Sequence, residues 1–299
     1  GASISVDGNA IFSGITTAET LKATTGIVTT LTATTGIVTS FVTNTAKVGA
    51  AVTISESGIE ASGIGITCAN INGTQIGGRR NLIINGAMMV AQRGISSTSQ
   101  GYHSVDRFKP YAGGADENPT QEQVDVSSGT SPYTEGFRKA LKITNGNQTS
   151  GAGGADYMQI EHKFEAQDIA NSGWNYTSSS SFITLSFWVK SSVSQDFQMS
   201  LRTTDGTAQS FQFETPTLSA NTWTKIVKTI PGNSNLTFDN NVSQGMVIYW
   251  FPFIGNNYTS ASNTLNAWVQ GTSSTYGVTD PTTWWTTNDA TFELTGVQL

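Results

Sequence analysis

The sequence is poor in charge and in long apolar runs, and both shortages exclude a class of protein. Charged residues make up 12% of the 299 residues, about half of the share that globular domains usually carry, and the net charge is −6. An acidic surface repels phosphate, so we expect no nucleic-acid partner. No run of about 20 apolar residues occurs, which argues against insertion into a membrane.

The chain is equally poor in the residues that build metal and redox sites. The single cysteine, Cys68, excludes an intrachain disulfide and a cysteine-based zinc site. His103 and His162 match no metal-ligand spacing, so we expect no metal ion and no cofactor. Residues 116–118 and 239–241 offer oxygen ligands of the kind that calcium binds, but solvated turns are the simpler interpretation.

Signatures of common enzymes are also missing. The chain has no Gly-x-Ser-x-Gly elbow and no phosphate-binding glycine loop in the required context. A glycosidase needs two carboxylates on either side of the cleaved bond, and Asp280 and Asp289 are candidates of a kind that any acidic chain contains. We therefore predict a protein that is not an enzyme, and we keep a polysaccharide depolymerase as the least favoured alternative.

What the sequence does contain is an internal repeat in residues 1–80. Residues 20–29 read TLKATTGIVT and residues 30–39 read TLTATTGIVT, with nine of ten positions identical. Each unit has β-branched residues for extended structure but is too short to bury a face alone, so it must pack against copies of itself. We predict a threefold β-rich fibre stalk, with a disordered linker as the alternative and a coiled coil as the weakest one.

The 219 residues from 81 to 299 have the pattern of a β domain. Apolar and polar residues alternate in several short segments separated by turn signals, namely residues 183–190, 199–202, 211–214 and 226–230. The run 246–253, MVIYWFPF, is apolar on both faces and indicates a central strand, in which Pro252 marks the end or a bulge. We predict an all-β, antiparallel sandwich of jelly-roll type, with short helices over residues 165–170 and after Asn263.

The two segments meet at residues 81–94, NLIINGAMMVAQRG. This stretch follows the turn signal Gly77–Gly78 and the cations Arg79 and Arg80, and it opens with an apolar run that enters a β core. Arg79, Arg80 and Arg93 are candidates to pair with acids of a neighbouring chain, and solvation is the alternative. Asp106 and Arg107 are expected to form a structural pair.

Several motifs of residues 81–299 occur together in one known family. NLIINGAMMVAQRG is followed by Gly101–Tyr102 and by Val105-Asp106-Arg107-Phe108, then by SFWVKS at 186–191, NTLNAW at 263–268 and LTGVQL at 294–299. In this order they resemble the receptor-binding head of bacteriophage tail fibres, and the decapeptide stalk is similar to fibre proteins of marine cyanobacterial phages. The resemblance implies an extracellular homotrimer on the virion, joined to other tail proteins through its N-terminal end. It also implies a distal jelly roll that recognises the host surface.

Recognition of a host polysaccharide or lipopolysaccharide needs exposed aromatic faces beside polar groups. The best supply lies in Gly-, Ser- and Asn-rich segments, and the candidate glycan-binding residues are Trp174, Tyr176, Tyr258, Tyr276, Trp284 and Trp285. For each of these, burial in the core is the competing interpretation, and for Trp223, Trp250 and Trp268 it is the preferred one. The alternative function is a purely structural virion fibre, which decorates a capsid or connects tail parts without binding a receptor.

Overall fold

The computed structural model describes residues 81–299 and, before them, seven short β-strands. These are β1 (Ala2–Ile4), β2 (Ala10–Phe12), β3 (Thr45–Val48), β4 (Val52–Ser55), β5 (Gly58–Ala61), β6 (Asn70–Ile71) and β7 (Thr74–Gln75). Strand β1 pairs with β2, β4 pairs with both β3 and β5, and β6 pairs with β7, always antiparallel. In strand β4 the apolar residues Val52 and Ile54 alternate with Thr53 and Ser55, as expected for a half-buried strand.

The chain divides into two compact units, Gly1–Thr67 and Cys68–Leu299. The two decapeptide repeats, Cys68, and the cations Arg79 and Arg80 lie outside the described residues. The threefold fibre and the domain boundary after residue 80 therefore stay predictions.

Residues 81–299 contain two six-stranded antiparallel sheets. In spatial order, the first sheet contains β16 (Thr224–Pro231), β13 (Phe182–Ser191), β19 (Thr291–Gln298), β11 (Lys139–Thr144), β10 (Thr120–Asp125) and β8 (Ser96–Ser97). The second contains β18 (Trp268–Gln270), β15 (Gln209–Glu214), β14 (Gln198–Thr203), β17 (Gln244–Ile254), β12 (Tyr157–Glu165) and β9 (Phe108–Gly113). The chain crosses repeatedly between the sheets, which confirms the predicted all-β sandwich of jelly-roll type.

Within residues 81–299, three helices of one turn or little more connect the strands: α1 (Ser131–Thr134), α2 (Ala166–Ala170) and α3 (Thr283–Thr286). Helix α2 confirms the helix predicted there, whereas the helix predicted after Asn263 is wrong. The Asn263 side chain instead donates hydrogen bonds to the carbonyl oxygens of Ser274 (2.8 Å) and Gly277 (2.7 Å), and this stabilises a loop. No helix of the described residues is long and apolar enough to span a membrane.

The core lies between the sheets and is built by alternate strand residues. Leu185, Phe187 and Val189 of β13 are all fully buried, as the alternation in that segment predicts. The ring of Phe187 meets the ring of Trp250 on the opposite sheet edge to face, at 5.9 Å between centroids. Each such buried ring contributes roughly 2–3 kcal/mol by removal of apolar surface from water.

Strand β17 carries a bulge. Phe251 and Pro252 together stand opposite the single residue Gln159 of β12, and the strand continues to Ile254. Of the two alternatives predicted for Pro252, a strand end or a bulge, the structure shows the bulge, and Pro252 has no amide hydrogen to give to the ladder. The bulge lies at the end of the sheet where the candidate site is found.

The segment 81–94 contacts the C-terminal end of the chain. Leu82 and Ile83 are buried, and the amide of Leu82 donates to the carbonyl oxygen of Leu299 at 2.9 Å. Arg93 pairs with Asp106 of the same chain at 3.5 Å. The predicted pair between Asp106 and Arg107 is therefore wrong, because the carboxylate of Asp106 pairs with Arg93 instead.

Candidate functional site

The outer face of the second sheet, which points away from the core, carries aromatic side chains on its central strand. Trp250 of β17 is buried in the core, so its neighbours Tyr249 and Phe251 point outward. The strand register places Tyr249 between Glu161 of β12 on one side and Ser200 of β14 on the other. Aromatic and polar groups are therefore interleaved across this face.

Five of the eight tyrosines of the chain lie on this face, and we call them the tyrosine face: Tyr111, Tyr157, Tyr249, Tyr258 and Tyr276. Tyr111 and Tyr157 are nearly parallel with centroids 6.3 Å apart. Tyr157 meets Tyr258 edge to face at 5.4 Å, and Tyr249 meets Tyr276 in the same way at 5.5 Å. The rings therefore hold one another in fixed orientations.

An open cavity of about 190 Å³ lies on the tyrosine face. Four of its tyrosines line the cavity together with one amide and two apolar side chains: Tyr157, Gln159, Tyr249, Phe251, Ile254, Tyr258 and Tyr276. The cavity thus offers aromatic faces, phenolic hydroxyls and an amide within one small space.

Two of these tyrosines lie in neighbouring loops, Tyr258 between β17 and β18 and Tyr276 between β18 and α3. The amide of Tyr276 donates to the carbonyl oxygen of Tyr258 at 3.2 Å, which keeps the two residues side by side. The loop between β18 and α3 is fixed to the sheet by the buried side chain of Gln198, whose Oε1 accepts a hydrogen bond from the amide of Val278 at 3.1 Å. The guanidinium of Arg202 lies 4.5 Å from the ring centroid of Tyr276 and supports it from β14.

One buried carboxylate organises the polar part of this face. Glu161 Oε2 lies 3.6 Å from Lys109 Nζ and 3.4 Å from Lys163 Nζ, and Glu161 Oε1 accepts a hydrogen bond from Gln159 at 2.5 Å. The Lys109 ammonium also lies 5.0 Å from the ring centroid of Tyr111. Gln159 is therefore fixed between the tyrosines and the charged groups.

Burial raises the pKa of both Tyr157 and Tyr249, and for Tyr157 the neighbouring Tyr111 adds to the effect. For Tyr249 the second contribution comes from Tyr276. A phenol is already neutral at physiological pH, and the upward shift keeps it so, which lets each of the two hydroxyls both donate and accept a hydrogen bond. This is the property that a surface needs in order to recognise hydroxyl groups.

The structure brings together two of the six candidate residues from the sequence, Tyr258 and Tyr276. Trp174 and Tyr176 form a separate cluster with Phe238, in which Trp174 is 8% exposed. Trp284 and Trp285 of α3 have no exposed area and belong to the core. A ring without an exposed face has no surface for stacking, so we do not include these two tryptophans in the site.

Sequence reasoning missed Tyr111, Tyr157 and Tyr249. Tyr249 lies in the run that is apolar on both faces, and its alternation with Trp250 was the available signal for an outward ring. Tyr111 and Tyr157 come together only through the pairing of β9 with β12, which no local sequence pattern predicts.

The acidic candidates have structural partners. Asp280 is buried, its Oδ2 accepts a hydrogen bond from the amide of Ile254 at 2.9 Å, and burial raises its pKa well above the ordinary value. Asp289 is exposed and contacts the amide of its neighbour Asn288. Asp116 Oδ2 accepts hydrogen bonds from the amide (2.7 Å) and hydroxyl (2.8 Å) of Ser150 and so fixes a turn. Within the described part of the chain, no three acidic, histidine or cysteine side chains are arranged to hold a metal ion.

No protein-family model matches the chain, and no curated protein sequence is similar to it. Solved structures with a similar arrangement include the enzymatically active domain of tailspike protein 4 of bacteriophage CBA120, at 10% identity and a TM-score of 0.38. That match covers 73% of this chain but only 21% of the tailspike chain.

Two bacterial structures match over most of their own length. The N-terminal cellulose-binding domain of a Cellulomonas fimi β-1,4-glucanase is 12% identical with a TM-score of 0.32, and the match covers 70% of this chain and 95% of that domain. A Bacteroides thetaiotaomicron protein, assigned provisionally to sugar binding, is 11% identical with a TM-score of 0.40, with coverages of 73% and 98%. All three TM-scores are below 0.5, so the function has to be argued from the side chains.

Proposed function

We propose that the chain is a phage tail-fibre protein that attaches the particle to a host-surface glycan through its tyrosine face. The observation that carries the proposal is the cavity that combines four tyrosines with the amide of Gln159. The C–H edges of a sugar ring stack on aromatic faces, while phenols and amides bind its hydroxyls. No other group of side chains in the described residues combines these features.

The fixed orientation of the rings favours binding. Tyrosines that pack edge to face, as Tyr157 and Tyr258 do, lose little freedom when a sugar docks. The cavity of about 190 Å³ is smaller than the several hundred Å³ of a typical small-molecule pocket. A face of this kind contacts a short part of a polysaccharide, and we infer a weak affinity for each site.

Weak sites suffice on a fibre. In the proposed homotrimer three heads act together, and several fibres on one particle multiply the effective concentration of the sites. The decapeptide repeats support the trimer, because units of ten residues need copies of themselves to bury an apolar face. The motifs that resemble fibre heads support the location on the virion.

The proposed protein binds its glycan without cleaving it. Asp280 lies under the loop of the tyrosine face, but its Oδ2 is used to hold the amide of Ile254. Its remaining oxygen is buried from solvent and so cannot reach a glycosidic bond in this conformation. Incubation of the protein with envelope polysaccharide should therefore leave the size of the polymer unchanged.

The direct test measures binding of the fluorescent full-length chain to candidate host cells, with and without periodate oxidation of their surface sugars. Tyr157→Ala and Tyr276→Ala should each weaken binding by about tenfold, because one stacking ring is lost from the cavity. Phe182→Ala is the matched control, since Phe182 is an exposed aromatic residue, 57% accessible, on the first sheet.

The outcomes separate the proposal from its rival. Binding that disappears after oxidation and in the two tyrosine variants, but not in the control, supports glycan attachment. If folded trimers bind no host cell, or if periodate has no effect, the tyrosine face is not a glycan site. The rival hypothesis of a purely structural fibre then gains weight.

A further inference from the structure

A second and larger cavity lies beside the segment 81–94. It has a volume of about 500 Å³, and we call it the joint cavity; its lining residues are Ile84, Asn85, Val90, Gln92, Arg93, Tyr102, Asp106, Arg107 and Lys163. Ile84, Val90 and Tyr102 are all at least one-third exposed. The cavity therefore presents apolar surface and charged groups to solvent together.

The charge of the joint cavity is opposite to that of the chain. Three cations, Arg93, Arg107 and Lys163, face one acid, Asp106, so the lining has a net charge of 3 − 1 = +2 in a chain of −6. Arg93 is paired with Asp106, and Lys163 shares Glu161 with another lysine. Among the described residues none forms an ion pair with Arg107, whose side chain is exposed. Its guanidinium is thus available for a bidentate contact with an anion.

The walls of the cavity are held in fixed positions. The Asn85 side chain donates to the carbonyl oxygens of Val90 and Asp106, both at 2.9 Å, and accepts from the amide of Val90 at the same distance. Arg107 itself has a φ of 73°, a left-handed conformation that costs on the order of 1 kcal/mol in a residue with a side chain. Surrounding hydrogen bonds enforce this strained backbone, as is common at binding sites.

The joint cavity and the tyrosine face are connected along one strand. Gln159 lines the cavity of the tyrosine face and Lys163 lines the joint cavity, and both belong to the outward row of β12 with Glu161 between them. Four residues along a strand span roughly 13 Å. An oligosaccharide bridges this distance, whereas a single sugar does not.

We propose that the joint cavity binds an anionic group, a carboxylate or a phosphate, of the same glycan whose rings stack on the tyrosine face. The inference rests on the proposed glycan binding and names the substrate class, an acidic polysaccharide. Arg107 and Lys163 contact the anion, while Ile84, Val90 and Tyr102 cover the apolar side of the sugar that carries it. Because the contact is ionic, salt weakens it.

An array of defined bacterial polysaccharides tests the inference with the full-length chain. Each acidic polymer is printed beside its carboxyl-reduced form, or beside its dephosphorylated form, so that the two sources of anion are separated. We expect the chain to bind an acidic polymer about tenfold more tightly than its neutral counterpart, from one charge-assisted contact. Equal binding to both forms, or binding to neutral polymers alone, would overturn the inference and leave the tyrosine face as a glycan site.

Variants distinguish the two sites. Arg107→Gln with Lys163→Gln should remove the preference for the acidic polymer while binding to its neutral form persists, and Tyr157→Ala should weaken binding to both forms. Lys139→Gln, which removes a cation from the first sheet, is the matched control. Should the double variant instead change the sedimentation of the protein, the cavity is an interface between copies of the chain and the inference fails. Absence of binding to every polymer would overturn both proposals.

Discussion

Gly86 and Val297 are in direct backbone contact at the point where residues 81–94 meet the last strand. The amide of Val297 donates to the carbonyl oxygen of Gly86 at 3.0 Å, and a Cβ on Gly86 would lie 1.9 Å from the carbonyl oxygen of Val297. Two residues more than 200 positions apart are thereby held at a distance that only glycine permits. The Leu299 amide also donates to Asn81 Oδ1, and the Leu82 amide donates to the carbonyl oxygen of Leu299, so residues 81–86 are fixed to the last strand.

Gly86→Ala should therefore destabilise residues 81–299 strongly. The obstacle is a backbone oxygen, which cannot rotate away, so the segment or β19 must move. We expect a loss of about 3 kcal/mol in the free energy of unfolding, measured by urea denaturation followed through tryptophan fluorescence.

The control for this prediction is Gly129→Ala. Gly129 has a φ of 83° but no atom within 4 Å of a new Cβ, so the variant reports the conformational cost alone, about 1 kcal/mol. If the two variants lose the same free energy, the close approach of Gly86 to Val297 is not what the position requires.

His162 makes the stability of the sandwich sensitive to acid. It is fully buried between Phe108 and Phe164, and burial followed by the charge of Arg107 lowers its pKa to about 3. The unfolded chain binds a proton at this histidine near pH 6.5, whereas the folded chain does not until about pH 3. Stability is therefore full above pH 6.5 and falls as the pH drops from 6.5 to 3, by an amount on the order of 5 kcal/mol.

His162→Leu should remove most of this acid sensitivity. Leucine fills a similar volume and takes no proton, so the free energy of unfolding should vary less between pH 7 and pH 4. His103→Gln, which replaces the exposed histidine, serves as the control and should keep the sensitivity of the parent protein. An unchanged pH profile in His162→Leu would show that other groups govern acid unfolding.

The sequence predicted those features that depend on local pattern. Strand β13 and its inward face follow from the alternation of Leu185, Phe187 and Val189, and Pro252 predicted either a strand end or a bulge because it cannot donate to a ladder. Only part of the tyrosine face could be predicted from the sequence. Tyr258 and Tyr276 stand in loops rich in turn residues, whereas the other three rings belong to strands whose pairing is set by contacts distant in the sequence.

The two tryptophans of α3 were predicted as site residues, but the structure places them in the core. Trp284 and Trp285 were candidate glycan-binding residues because they lie in a segment with polar residues, and burial in the core was the competing interpretation. The structure buries both; the Trp285 ring lies 5.1 Å from that of Phe253 in β17, and its Nε1 donates a hydrogen bond to the carbonyl oxygen of Gly151 at 2.9 Å. A partner 134 positions away decides the burial, and no local pattern contains it.

Asn263 should affect binding more than stability. Its side chain holds the carbonyl oxygens of Ser274 and Gly277 in the loop that presents Tyr276. Asn263→Ala leaves these oxygens to water and loosens the loop, and the affinity of host-cell binding should fall by roughly fivefold. Asn235→Ala, in an exposed turn after β16, is the matched control. Loss of both affinity and thermal stability to the same degree would indicate a general structural role.

Asp280 should make the protein less stable as the pH rises. Burial raises the pKa of this carboxyl, and the negative charges of Asp196 and Glu214 raise it further. The unfolded chain releases the proton near pH 4, whereas the folded chain retains it to higher pH. The contribution to stability is therefore full below pH 4 and is lost as the pH rises towards the folded pKa, which is the reverse of the behaviour of His162.

Asp280→Asn tests this assignment. The amide oxygen can still accept the hydrogen bond from Ile254, and no proton is released as the pH rises. We expect the variant to be more stable than the parent at pH 7 and equally stable at pH 4, as measured by urea denaturation at both values. A variant that is less stable at pH 7 would mean that the aspartate is ionised in the folded protein and is held by a cation or a water network. In that case the carboxylate beside the tyrosine face would be a charged group, and its contribution to glycan binding would have to be measured directly.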